Sequence, residues 1–270
     1  MRFGLNHIAA PRLPVAELFR LARDLGITEV EIRNDLPDVV GTVPTAEVAD
    51  AAAREGVTIV SINALYPFNV WSDELAARAV AMADYARACG AKALVMCPLN
   101  DGRPVPRADL VAALEALAPV LRARGLTGLV EPLGFPVSSL RRKREALEAI
   151  DAAGAADVCR LVHDTFHHHL AGEKEFFPER TGLVHISGVV DPEVGVEAML
   201  DPHRVLVDGA DRLENLAQIR ELLRRGFEGP YSFEPFAPEV HLLADPGAAL
   251  AESMRYLTGR IGGRGDDEDA

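Results

Sequence analysis

Cysteine is scarce in this chain: Cys89, Cys97 and Cys159 are its three thiols in 270 residues, dispersed and without C-x-x-C spacing. That pattern offers neither a disulfide framework nor a zinc knuckle. It fits reduced core thiols in a cytoplasmic protein. Long apolar runs are missing too, so no membrane span is expected. Met1-Arg2-Phe3-Gly4-Leu5-Asn6 passes straight into a strand-like run, and no signal peptide is expected. Basic residues are outnumbered: 28 Lys and Arg against 41 Asp and Glu give a net charge of -13, which repels phosphate backbones and anionic lipid. No nucleic-acid or membrane partner is therefore expected. No G-x-G-x-x-G follows the first strand-like run, which argues against an open dinucleotide-binding sheet.

What the chain does have is apolar content, 49% against 26% charged residues, enough to bury a large core. Short runs rich in Val, Ile and Leu recur at residues 3–6, 29–33, 58–64, 93–99, 129–134, 160–165, 183–187 and 231–236, each bounded by Gly, Pro or charged turns. They read as buried parallel strands. Helical spacing fills the gaps at residues 15–25, 45–55, 73–89, 107–124, 140–153, 213–225 and 246–258. Eight strands alternating with helices predict an α/β fold, the closed (β/α)8 TIM barrel, as one catalytic domain over residues 1–261. Two segments break the rhythm: a charged, aromatic insert at 173–180 and a long loop at 189–211, both expected to cover a site. Residues 262–270 read as an acidic, disordered tail.

In such a barrel the active site lies where the strands end. Glu131, Asp164, His185 and Glu234 occupy the ends of four consecutive strand runs, and period-two alternation lets all four point at the barrel axis. Singly, each has an ordinary explanation as a rim charge, a helix cap or a core histidine. Together, three carboxylates and an imidazole would repel one another unless a divalent cation held them, and oxygen with nitrogen donors suits Mn, Mg, Co or Zn. The most conspicuous stretch is Leu161-Val162-His163-Asp164-Thr165-Phe166-His167-His168-His169-Leu170, a strand that turns into a histidine run. Alternation turns His163 away from Asp164, and His168, His169 and His241 have no evident partner. Arg141-Arg142-Lys143-Arg144 reads as the solvated start of a helix outside the site. Asn6 ends the first strand and could touch a hydroxyl or cap a turn. Tyr66, Phe68 and Trp71 follow the third strand and could close over a cyclic polyol or simply pack. Cys97 ends the fourth and could line a pocket.

These residues carry a resemblance over nearly the whole chain. Glu31-Ile32-Arg33, Ile62-Asn63-Ala64-Leu65, Val130-Glu131, His163-Asp164-Thr165-Phe166-His167, Val184-His185-Ile186, His203-Arg204-Val205 and Phe233-Glu234-Pro235-Phe236 resemble the xylose-isomerase-like barrel superfamily. Within it the likeness is nearest to inosose (2-keto-myo-inositol) isomerases. The resemblance implies one divalent metal on Glu131, Asp164, His185 and Glu234, with His167 and Arg204 toward substrate; Asn63, Asn6 and Trp71 are further substrate-side candidates. It implies a sugar or cyclitol isomerase in which Glu131 and Glu234 move a proton through a metal-stabilised cis-enediolate, and a barrel that pairs as a homodimer. A ketose 3-epimerase, a hydroxypyruvate isomerase and an inosose dehydratase share this equipment; a non-catalytic sugar-binding barrel is the rival from another class. The superfamily's endonuclease branch needs histidines on the second and third strands, where this chain has Arg33 and Asn63. Leu206-Val207-Asp208-Gly209-Ala210-Asp211 departs from the Pro-Gly-x-Gly turn that often follows the arginine, which leaves the exact substrate open.

Overall fold

The computed structural model describes residues 1–37 and 40–262. Eight parallel strands close into a barrel in sequence order: β1 Arg2–Asn6, β2 Glu29–Arg33, β3 Thr58–Leu65, β4 Ala93–Met96, β5 Thr127–Val130, β6 Cys159–Asp164, β7 Thr181–Ile186 and β8 Pro230–Phe233. Closure comes from β1 against β8, with Gly4 opposite Ser232 and Leu5 opposite Phe233. The (β/α)8 barrel expected from the strand–helix rhythm is the fold observed. Gly262 ends the last helix; the rest of the expected tail, 263–270, lies outside the described residues.

Helices α1 Val15–Asp24, α2 Thr45–Glu55, α3 Asp73–Cys89, α4 Arg107–Arg122, α5 Lys143–Ala152, α6 Thr165–Leu170, α7 Asn215–Arg224, α8 Pro238–His241 and α9 Pro246–Gly262 follow the strands. Local chemistry starts and stops them. On α3, Ser72 Oγ accepts from Leu75 N, Asp73 and Glu74 sit in the positive first turn, and Gly90 takes the left-handed conformation that ends it. On α1, Val15, Leu18, Phe19 and Ala22 form the buried stripe. The main apolar core fills the layer between strands and helices.

Inside the barrel, Ala93, Val95, Leu129, Val162 and Leu183 form a second apolar cluster. Val95, Leu129, Val162 and Leu183 lie two positions before Cys97, Glu131, Asp164 and His185, so each of those four side chains stands one pleat above an apolar plug. On the other half of the ring the same layer is small and polar, with Gly4, Glu31, Ser61 and Ser232.

Candidate metal centre

Glu131, Asp164, His185 and Glu234, from β5 to β8, converge: their ligand atoms all lie within 4.8 Å of one another, and all four side chains are buried. Three carboxylates approach one nitrogen. His185 Nδ1 is 2.7 Å from Glu131 Oε1, 3.2 Å from Glu234 Oε2 and 4.0 Å from Asp164 Oδ2. The donor set is hard oxygen with one imidazole, which suits a divalent cation of the Mn, Mg, Co or Zn type. Burial alone works to lower the His185 pKa, but the surrounding Glu234, Glu31 and Glu131 charges outweigh it and hold the ring protonated well above its usual range. An imidazolium proton therefore stands where a cation's charge would fit.

Asp164 divides its two oxygens between structure and site. Oδ1 accepts from Phe166 N at 2.7 Å and His167 N at 3.2 Å, capping α6, while Oδ2 faces the cluster. This short helix, which is not among the helical runs expected from the sequence, owes its start to that cap. Glu234 is the most restrained of the four. Its Oε1 accepts from Asn6 Nδ2 at 3.1 Å, Arg33 Nη1 at 3.1 Å and Asn63 Nδ2 at 3.0 Å, and its Oε2 accepts from Arg204 Nη2 at 3.0 Å. Burial works to raise its pKa, yet His185, Arg204 and Arg33 together hold the carboxyl well below the usual range. Glu131 is held more loosely, by His185 and by the Cys97 thiol, which donates to Oε2 across 3.3 Å.

The structure brings Asn6, Asn63 and Arg204 to the cluster as partners of its carboxylates. Asn6 also caps the turn after β1, accepting from Ile8 N at 3.0 Å. Arg204 reaches in from the long loop after β7, buried between the rings of Phe166 and Phe236 at 4.9 and 4.7 Å. His167, in the first turn of α6, packs edge-on against Phe135 and Phe166 and leaves its buried Nδ1 without a partner. Trp71 has a different setting. With Asn69, Leu99 and Arg103 it lines a cavity of about 420 Å³ between the loops after β3 and β4, and none of the four converging residues lines that cavity.

Three expectations change. Three of the histidines have partners: His163 Nε2 pairs with Gln218 Oε1 at 2.9 Å, His168 with Lys143 and His241 with the Pro235 carbonyl. Lys143 is not part of a solvated helix start; it is buried and bonded to Glu173 and His168. The insert at 173–180 packs behind the barrel, with Phe176 stacked on His163 at 5.3 Å, because its aromatic and acidic residues find buried partners there. Arg33 divides its donors between Asp35 and Glu234, Asn63 Nδ2 donates to Glu234, and His203 Nδ1 accepts from Leu200 N within its own turn, so none of these positions extends the ligand set.

Glu31 belongs to the site although it does not end its strand. It lies one pleat beneath Arg33 and touches His185 Nε2 at 3.1 and 3.2 Å. The signal was an acidic residue inside an otherwise apolar strand run, Val30-Glu31-Ile32, where an unpaired carboxylate cannot be buried cheaply.

Residues 19–260 match the family model described as the xylose isomerase-like TIM barrel. Among solved structures, a xylose isomerase domain containing protein from Salmonella typhimurium LT2 is 36% identical over 97% of both chains, with a TM-score of 0.90. The IOLI protein with a binding zinc atom is 20% identical over 97% of this chain and 98% of its own, at TM-score 0.85. A D-psicose 3-epimerase with D-tagatose from Clostridium cellulolyticum H10 is 14% identical over 97% and 99%, at TM-score 0.73. No curated protein matches.

Proposed function

Because the chain belongs to the xylose isomerase-like TIM barrel family, we propose that it is a divalent-metal-dependent isomerase or epimerase of a small sugar or cyclitol. The observation that carries this reading is the approach of three buried carboxylates to His185 Nδ1. Glu131, Asp164, His185 and Glu234 would hold the cation. The chemistry it supplies when bound is Lewis-acid stabilisation of negative charge on neighbouring substrate oxygens.

The protein's own groups do the proton work. Glu131 and Glu234 enter from β5 and β8, three strands apart on the ring, and can flank one substrate carbon. Glu234 already accepts from Asn6, Arg33, Asn63 and Arg204, which favours its anionic form and makes it a weak base. Glu131 has one thiol donor besides His185, so we assign it the first proton abstraction, from the carbon next to the carbonyl. Return of the proton to the neighbouring carbon gives isomerisation; return to the same carbon gives epimerisation. His167, with an unpaired nitrogen in an apolar rim, is the group we assign to proton movement between substrate oxygens.

The finer reading is an inosose isomerase acting in the cytoplasm. The sequence contexts around Asn63 and from Asp164 to His167 support it. Among the described residues no helix is long and apolar enough to cross a membrane. The test is a panel of inososes, ketohexoses and hydroxypyruvate with added Mn2+, followed by NMR in deuterated water. Deuterium uptake at one substrate carbon, dependent on the metal, is expected. Absence of uptake across the panel, together with a melting temperature that no divalent ion changes, would defeat the proposal.

A further inference from the structure

Glu31 is fully buried within the barrel, beneath the converging ligands. Donors surround both of its oxygens. Oε1 accepts from Ser232 Oγ at 2.6 Å and from Asn6 Nδ2 at 3.3 Å, and Oε2 accepts from Ser61 Oγ at 2.6 Å. His185 Nε2 lies 3.1 Å from one oxygen and 3.2 Å from the other. Four donor groups thus face one carboxylate, which is the environment that stabilises the ionised form in a dry interior. An ionised carboxylate can only accept, so His185 Nε2 must carry a hydrogen.

The space for Glu31 comes from its neighbours. At the same level of the barrel, β4 to β7 supply Val95, Leu129, Val162 and Leu183, whereas β1, β3 and β8 supply Gly4, Ser61 and Ser232. A Cβ added at Gly4 would come within 3.1 Å of the Ser232 Cβ, so this half of the ring is closely fitted around the carboxylate. The polar pocket is local, and its contents match the four acceptor positions of one Glu.

We propose that Glu31 is a positioning residue that dedicates His185 to the cation: it takes the Nε2 hydrogen, fixes the ring plane, and leaves the Nδ1 lone pair directed at Glu131, Asp164 and Glu234. The proposal rests on the metal centre described above. A neutral imidazole offers one lone pair, and a ring free to change tautomer or turn over would present it to the ligand set part of the time. Glu31 is too deep to meet substrate, and its effect runs through His185. Asn6 Nδ2 spans Glu31 and Glu234, so the buried carboxylate also braces the strand-eight ligand.

The experiment compares Zn2+ titration calorimetry and side-chain 15N NMR of the histidines in the wild-type chain, Glu31→Gln and Ser232→Ala. In the zinc-loaded wild type, His185 should show a hydrogen on Nε2 and none on Nδ1. Glu31→Gln, nearly the same size but uncharged and presenting an amide donor, should weaken zinc binding by about 10- to 100-fold and mix the His185 tautomers. Ser232→Ala keeps the carboxylate and loses one of its holders, so a smaller loss in the same direction is expected; it also carries the test should Glu31→Gln fail to fold. Equal zinc affinity and an unchanged His185 spectrum in whichever variants fold would overturn the role of Glu31 while leaving the metal centre standing. A wild type that takes up no zinc or any other divalent ion would remove the metal reading and this inference with it.

Discussion

Arg204 Nη2 sits 2.7 Å from Asp164 Oδ2, joining the long loop after β7 to the carboxylate that also caps α6. The same nitrogen reaches Glu234 Oε2 at 3.0 Å, and Nε donates to Ser187 Oγ at 3.0 Å. With its guanidinium buried between two phenylalanine rings, Arg204 offsets two carboxylates that water cannot screen. Breaking a buried pair by removing one partner costs about 3–5 kcal/mol, because the other charge stays behind. Arg204→Met should therefore destabilise the metal-free protein by roughly that amount. Added Mn2+ should restore part of the loss, since it supplies positive charge at the same carboxylates. Urea unfolding with and without the ion measures both effects.

The two flanking glutamates should separate in kinetics. Glu131→Gln and Glu234→Gln preserve shape and remove basicity. Both should lower turnover by about 10²- to 10⁴-fold, the usual contribution of a positioned acid or base. Deuterium uptake into substrate should fall further in Glu131→Gln, because Glu234 is tied to four donors and Glu131 to a single thiol besides His185. Equal uptake in the two variants would remove the assignment of Glu131 as first base.

Sequence and structure agree where one-dimensional periodicity carries the information. The eight strand runs are short and apolar because both faces are buried, and Glu131, Asp164, His185 and Glu234 stand out as polar residues at the ends of such runs. Glu31 was harder to see because β2 continues to Arg33, so a rule that selects the last polar residue stops one pleat too high. Lys143 was hidden by its basic neighbours, and its partner Glu173 is thirty positions away. The run of histidines at α6 has little helix propensity of its own and forms a helix through the Asp164 cap. For Trp71 the sequence leaves two settings open, closing over a substrate or packing, because its position depends on how the loop after β4 folds beside it.

Gly134 lies where the loop after β5 crosses α6. A Cβ built there would lie 2.2 Å from the His167 carbonyl oxygen and 2.9 Å from the Leu170 Cβ. Backbone cannot yield as a flexible side chain does, so Gly134→Ala should push α6 outward. Overpacking of this kind costs about 1–3 kcal/mol. The shift should also reach Asp164 and His167, which share the first turn of that helix. A lower melting temperature accompanied by weaker divalent-ion binding is expected, and a lower melting temperature alone would show that α6 absorbs the strain without moving its cap.

Behind the barrel, Lys143 Nζ lies 2.7 Å from His168 Nδ1 and is bonded to Glu173, whose Oε1 also accepts from Lys143 N at the start of α5. His163 from β6 and Phe176 from the insert close over the group, and Lys174 adds a further positive charge nearby. Burial first, and then the positive charge of Lys143, lower the His168 pKa from its ordinary 6.5, despite the opposing pull of Glu173. Burial works to raise the Glu173 pKa, but His168 beside it and the charge and hydrogen bonds of Lys143 prevail and hold it below the ordinary 4.5. Both shifts act the same way with pH. As pH drops below about 6.5 the unfolded chain protonates His168 while the folded chain resists, so stability declines. Below about 4.5 the unfolded chain also protonates Glu173 first, and the decline continues. Melting temperature should therefore fall on acidification from neutral pH. His168→Phe, which keeps an aromatic ring against Phe176, should flatten the first part of that fall, between about pH 6.5 and 5. An unchanged slope in this variant would assign the acid sensitivity to other groups, His163 first among them, since burial lowers its pKa as well.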